Sequence, residues 1–308
     1  MSAAARVKRL LGWPLRRALN PRVEMTVHEI DARLGSENLA RPTVHDRLDD
    51  LDRMGRDMLA GLGWRDVPEP GGALERLDAA RAAYLNWASG PDGYAAQAGL
   101  WFNPPVPVHH AAGGVEVLLV NERIAEQPFA FGALASLPAG TTILDVGGSE
   151  STVGLSLATL GHRVTVVDPR PHPLRHPNLT HAACRLDELP APATPFAAAV
   201  VLSAVEHFGL EHYGQDAIDE RLDLDALARL RELVAPGGLL VLTVPFAEQA
   251  TVDDFQRVYD EAGLGELLRG WDVLTSLRLG RSDRLTWKLG EASRERHGVA
   301  LVTARPAS

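Results

Sequence analysis

The sequence predicts an α/β fold built on a doubly wound, mostly parallel sheet. Three observations carry that expectation. Short apolar runs alternate with amphipathic stretches from Thr141 onward. One of those runs ends in a glycine-bearing turn that leads at once into a helical pattern. The next run ends on a carboxylate about 20 positions later, the spacing of a nucleotide-binding crevice.

In order, residues 141–146, 163–168, 197–203 and 238–244 read as buried strands. Between them, 151–160 and 224–234 carry helical periodicity. Strands alternating with helices at this spacing imply a sheet covered on both faces. After Pro245 the pattern predicts a helix over 253–268, then two β-rich segments at 272–279 and 299–304.

The first part of the chain is different. Residues 1–120 read as a mainly helical N-terminal extension, serving substrate binding or oligomerisation, and 121–308 as the main domain. In the extension Leu48, Leu51, Met58, Leu59 and Leu62 recur at helical spacing, with Asp46, Asp49, Asp50 and Asp52 near the start, where a helix dipole favours acids. That stripe suits a core face or the seam of a homodimer. A second helix is expected over 74–88, after the turn Pro70-Gly71-Gly72.

Of 308 residues, 45% are hydrophobic and 23% charged, a mix that buries a core. The net charge of -9 opposes a nucleic-acid partner. Cys184 is the sole cysteine, which excludes an internal disulfide and a thiolate metal cluster and fits a reducing cytoplasm. Residues 1–24 carry Arg6, Lys8, Arg9, Arg16, Arg17 and Arg22, but Gly12 and Pro14 break the apolar run a secretory signal needs. No run approaches the roughly 20 apolar residues that span a bilayer. This basic segment, with Trp13, suits either peripheral contact with an anionic membrane or docking on the chain's own acidic surface.

The turn Ile143-Leu144-Asp145-Val146-Gly147-Gly148-Ser149-Glu150 is the most informative stretch. Its glycines let the backbone approach a ligand, and Asp168 at the next strand end can accept both hydroxyls of a ribose. A dinucleotide fingerprint would need glycine at 149 and glycine or alanine at 152, where Ser149 and Thr152 stand. Asp145 is a poor neighbour for a pyrophosphate and a good one for a positively charged ligand.

These segments resemble the class I S-adenosylmethionine-dependent methyltransferases. Asp145-x-Gly147 is similar to the start of their acidic, glycine-rich motif, and Asp168 falls at their ribose position. Arg185-Leu186-Asp187-Glu188-Leu189-Pro190 is similar to their adenine-contacting segment, with capping of a helix as the other reading of Asp187. Val201–His207 with Phe208 is similar to the fourth strand and its loop, and Leu233-Val234-Ala235-Pro236-Gly237-Gly238 to the turn into the fifth. The family's motif often carries glycines where Ser149 and Ser151 stand.

The resemblance implies a Rossmann-like sheet with an antiparallel final strand. It implies S-adenosylmethionine as cofactor, held by Asp145, Gly147, Gly148, Ser149, Glu150, Asp168, Pro169, Leu186, Asp187 and Ser203. Arg123, on a segment that covers the methionine end in related enzymes, pairs with the cofactor carboxylate or else with Glu122 or Glu126.

In the loop after the fourth strand, His207 is the first choice for a general base and His212 the second, with Glu206 beside them. A structural role for the acid–His pair, or shared metal ligation by Glu206, His207 and His212, are the alternatives, and no resident metal is expected. Trp101, His109, His110 and Tyr213, with Tyr94 and Phe102, could wall an acceptor pocket or pack the extension. Trp271 and Trp287 read as core. The loop and Phe255-x-Arg257-Val258-Tyr259 resemble bacterial methyltransferases of sugars and natural products, implying a small-molecule hydroxyl as acceptor. The rivals are an NAD-dependent dehydrogenase or epimerase and a non-catalytic cofactor-binding assembly module.

Overall fold

The computed structural model describes residues 77–210, 221–290 and 298–307. They fall into two compact units: the described part of Met1–Ala98 with His109–Glu116, and Gly99–Val108 with the described part of Val117–Ser308. The stripe at 48–62, the basic segment at 1–24, His212 and Tyr213 lie outside the described residues. So do the dimer seam and the membrane contact expected there.

The first unit contains helix α1 (Ala79–Ser89), which starts where Asp78 accepts a hydrogen bond from the Arg81 N–H at 2.8 Å. One turn of helix, α2 (Tyr94–Gln97), follows. The hairpin strands β1 (Val108–Ala111) and β2 (Gly114–Val117) turn at Gly113, with φ 77°. Asn86 on α1 grips the His110 backbone in both directions, accepting its N–H at 2.7 Å and donating to its carbonyl at 2.9 Å.

The second unit is an eight-stranded sheet. Its strands are β3 (Thr142–Val146), β4 (Arg163–Val167), β5 (Leu179–Ala182), β6 (Phe196–Leu202), β7 (Val234–Phe246), β10 (Trp271–Arg281), β11 (Trp287–Leu289) and β12 (Gly298–Pro306). They lie in the order 11-10-12-7-6-3-4-5. Strands 5-4-3-6-7 are parallel, and β12 is inserted antiparallel between β7 and β10. The sheet is therefore doubly wound and mostly parallel, with an antiparallel final strand. β3 pairs with β4 on one side and β6 on the other, so the chain reverses direction across the sheet there. A crevice opens at such a reversal.

Alternation along the strands builds the two layers. Ile143, Val164, Val166, Ala198 and Val200 pack under helices α3 (Arg123–Leu134) and α4 (Val153–Thr159), against Ala130, Leu134, Val153 and Leu157. Leu144, Val146, Ala199, Val201, Leu240 and Leu242 point the other way. They meet Leu227, Leu230 and Leu233 of α5 (Leu222–Leu233) and Leu264 and Leu267 of α6 (Glu261–Leu267). Each fully buried leucine contributes about 1.5–3 kcal/mol by leaving water.

Residues 253–268 are not the single helix that their pattern predicts. Asp253 Oδ1 accepts the N–H groups of Phe255 and Gln256 at 3.1 and 2.9 Å, a side-chain turn that competes with helix. The turn joins β8 (Thr251–Val252) to β9 (Arg257–Val258). The helix starts only after Asp260, whose carboxylate caps it by accepting from the Gly263 N–H at 2.8 Å. Among the described residues, no helix is long and apolar enough to cross a membrane.

Candidate functional site

At the end of β3, Gly147 turns the chain with φ 72°, and a Cβ there would stand 2.5 Å from Ala204 Cβ. Both the backbone angle and the contact call for glycine. The chain continues through the 3₁₀ turn Gly148–Glu150 into α4.

Asp145 sits beneath this turn, 3% exposed. Cβ atoms on Gly148 or Gly154 would stand 2.7 and 2.8 Å from its Oδ2, so the two glycines make room for the carboxyl. Burial, reinforced by the charge of Asp168 and opposed by the Gly154 N–H, pushes its pKa up to about 7. The side chain supports the loop from below and is not part of the cavity wall.

Asp168 closes β4 and is 2% exposed. Its Oδ1 accepts from Arg170 N at 2.9 Å and Arg170 Nε at 3.2 Å. Its Oδ2 accepts from Ser149 N and Arg170 Nη2, both at 3.1 Å. Arg170 Nη1 also pairs with Glu150 Oε1 at 2.5 Å.

A second polar cluster lies where β6 and β7 end. Glu126, on α3, is fully buried. It accepts from Ser203 Oγ at 2.5 Å, from Thr243 Oγ1 at 2.7 Å and from the Arg123 guanidinium. Burial works against the charge of Arg123, but Glu126 and Glu122 outweigh it and raise its pKa. Arg123 is therefore in the expected ion pair with Glu126, though that carboxylate is buried and not on the surface. Glu122 is itself shifted upward by burial and by the charge of Glu126.

Glu206 and His207 occupy a short 3₁₀ turn, Val205–His207, after β6. Glu206 is 1% exposed and its Oε2 meets no hydrogen-bond donor among the described residues. Burial, together with the charges of Glu126 and Glu122, raises its pKa well above the usual range. Its Oε1 stands 3.8 Å from His207 Nε2. His207 Nδ1 lies 2.6 Å from the Phe255 carbonyl, and the two rings meet at 4.7 Å with their planes tilted by 60°. A carbonyl only accepts, so Nδ1 carries a proton, and in the neutral ring the lone pair is on Nε2. Arg257 fixes this turn by donating to the carbonyls of Phe208 at 2.6 Å and Glu206 at 3.3 Å. Asp223 lies 3.8 Å from Arg257 and accepts the Tyr259 hydroxyl at 2.8 Å.

Together these elements enclose a cavity of about 390 Å3 at the carboxyl ends of β3, β4, β6 and β7. Of the residues singled out from the sequence, Gly147, Glu150, Asp168, Pro169, Leu186, Asp187, Ser203, Arg123, Glu206 and His207 line it. Gly148, Ser149, Asp145 and Trp101 do not. Asp187 caps no helix and pairs with Arg185 through two contacts of 2.9 Å. His109 and His110 belong to the first unit, where Asn86 Nδ2 lies 3.4 Å from His109 Nε2. Trp271 is core, as its pattern predicts. Trp287 packs against the small cluster of Leu279, Val299 and Leu301 and also lines the cavity beneath the Arg281 guanidinium, which lies 4.9 Å from its ring.

Phe255, singled out with Arg257, Val258 and Tyr259, stands in the wall too; Arg170, Arg281, Gln256 and Asn103 also stand there and were not singled out from the sequence. Arg170 is two positions from the strand-end acid, a signal that was readable. The others come from segments distant in sequence and carry no motif. Among the described residues, no group of three or more His, Cys, Asp and Glu side chains is placed to hold a metal ion.

Comparison with known proteins adds the following. A family model described as Caenorhabditis protein of unknown function, DUF268, matches residues 190–298. A search of curated proteins found no match. Among solved structures, the chain is similar to the 1,6-didemethyltoxoflavin-N1-methyltransferase of Burkholderia thailandensis, solved with its namesake substrate and S-adenosylhomocysteine. The identity is 21%, over 61% of this chain and 80% of that one, with a TM-score of 0.48. It is also similar to the N-methyltransferase NodS of Bradyrhizobium japonicum WM9 in complex with S-adenosylhomocysteine, at 17% identity over 61% and 88% of the chains and a TM-score of 0.44.

Proposed function

We propose that this chain binds S-adenosylmethionine in the cavity and transfers its methyl group to a small-molecule acceptor, a hydroxyl of a saccharide or natural product. One observation carries the reading: the left-handed Gly147 turn and the Asp168 carboxylate face one cavity at the reversal point of the sheet. The residues present fit the cofactor. Gly147 leaves the loop without a side chain, Asp168 suits the ribose diol, and Leu186 and Asp187 flank the place for adenine. A guanidinium has five donors, so pairing with Glu126 leaves Arg123 others for the methionine carboxylate.

Bound there, the sulfonium supplies an electrophilic methyl group. The chain's own residues position the acceptor, exclude water and take its proton. His207 is the proposed base, because its Nδ1–H is committed to Phe255 O and the Nε2 lone pair is presented on the cavity wall. Arg281 and Trp287 form an aromatic and cationic wall suited to a small acceptor.

Calorimetry with S-adenosylmethionine, S-adenosylhomocysteine and NAD tests the cofactor. Binding of the first two is expected, and binding of NAD alone sinks the proposal. Asp168→Ala should weaken S-adenosylhomocysteine by about 1–3 kcal/mol. Once an acceptor is found, His207→Ala should lower kcat by about 10²–10⁴. Normal turnover would remove His207 from the mechanism.

A further inference from the structure

A carboxylate offers about four acceptor positions. Those of Asp168 are taken by Arg170 N and Nε on one oxygen and by Ser149 N and Arg170 Nη2 on the other. Two of these donors are backbone N–H groups fixed by the fold. The other two belong to one side chain, and they fall one on each oxygen. Turning the Arg170 guanidinium away would open one acceptor position per oxygen, the arrangement that a vicinal diol needs.

We infer that Arg170 competes with the ribose diol for Asp168 and so sets how tightly the site holds a nucleoside. The inference rests on the cofactor reading above. Arg170 can yield. Its side chain is 27% exposed, and its Nη1 is already paired with Glu150 Oε1, which is 30% exposed. The charge released from Asp168 thus keeps a counter-ion at the cavity wall.

The test is calorimetric titration of the full chain with S-adenosylhomocysteine. Arg170→Ala and Arg170→Gln are expected to bind about tenfold more tightly than the natural chain, since a two-point charge-assisted contact no longer has to be broken. In an Asp168→Ala background the Arg170 substitution should give no gain, a non-additivity that a merely structural role would not produce. Equal or weaker binding by both Arg170 variants, with thermal melts unchanged, overturns the competition while the cofactor reading stands. Failure of the natural chain and of both variants to bind S-adenosylhomocysteine overturns both.

Discussion

The hydroxyl of Ser203, at the end of β6, donates to Glu126 Oε1 on α3 at 2.5 Å. This contact joins the two segments that border the catalytic side of the cavity, and Thr243 of β7 shares the same carboxylate oxygen. Ser203→Ala removes one donor from a fully buried acid and should cost about 1–3 kcal/mol in urea denaturation. Glu126→Ala should cost about 3–5 kcal/mol, because the Arg123 charge then loses its buried partner. A smaller loss for the second variant than for the first would mean that Glu126 does not organise the cluster.

Gly147→Ala tests the turn. The left-handed backbone costs a non-glycine residue about 1–3 kcal/mol, and the new Cβ meets Ala204 Cβ at 2.5 Å. The double variant with Ala204→Gly relieves the contact but not the backbone, so it should recover only part of the lost stability. Full recovery would mean that φ is not a constraint.

Asp145 gives the protein a pH dependence of definite sign. Folded, its pKa is about 7, and unfolded it returns to about 3.8. Between those values the folded state holds a proton that the unfolded state has released. Stability therefore falls as pH rises through that window and levels off above it. The term is on the order of 2–4 kcal/mol. Glu206 and Glu122 are shifted in the same direction, so the Asp145 share is read from Asp145→Asn. That variant should lose less stability than the natural chain between about pH 5 and about pH 8. Equal losses would show that Asp145 is ionised when folded.

Arg257 is buried, and its Nη1 serves two carbonyls of the turn that bears His207. Arg257→Met should cost about 3–5 kcal/mol, since Asp223 would be left buried beside no cation. Denaturation midpoints unchanged within error would place the support of this turn elsewhere.

Four of the five parallel strands were legible because apolar runs have few competing explanations once both faces must be buried; β5, four residues long at the sheet edge and nowhere fully buried, carries no such run. The Gly147 turn and Asp168 were legible because they occupy fixed positions relative to strand ends. Glu126 was not. An acid early on a helix beside Arg123 reads as a solvated pair, and only tertiary packing reveals Ser203 and Thr243 on its other side. Residues 253–259 misled because an Asp that accepts the next backbone N–H groups opens helices and turns alike, and here Arg257–Val258 pairs back on Thr251–Val252. Trp287 was read as core, and it does pack against Leu279, Val299 and Leu301, but it also lines the cavity while its Nε1 donates to Val120 O at 2.9 Å.

The antiparallel insertion of β12 has an architectural consequence. Because β12 runs against its neighbours, Gly298 and Val299 at its beginning reach the same rim as Arg281 at the end of β10. The parallel strands supply one half of that rim, and β10 and β12 supply the opposite bank. Substitutions at Arg281 or Val299 therefore change the lining of that rim while the β10–β12 ladder beneath keeps its hydrogen-bonded register.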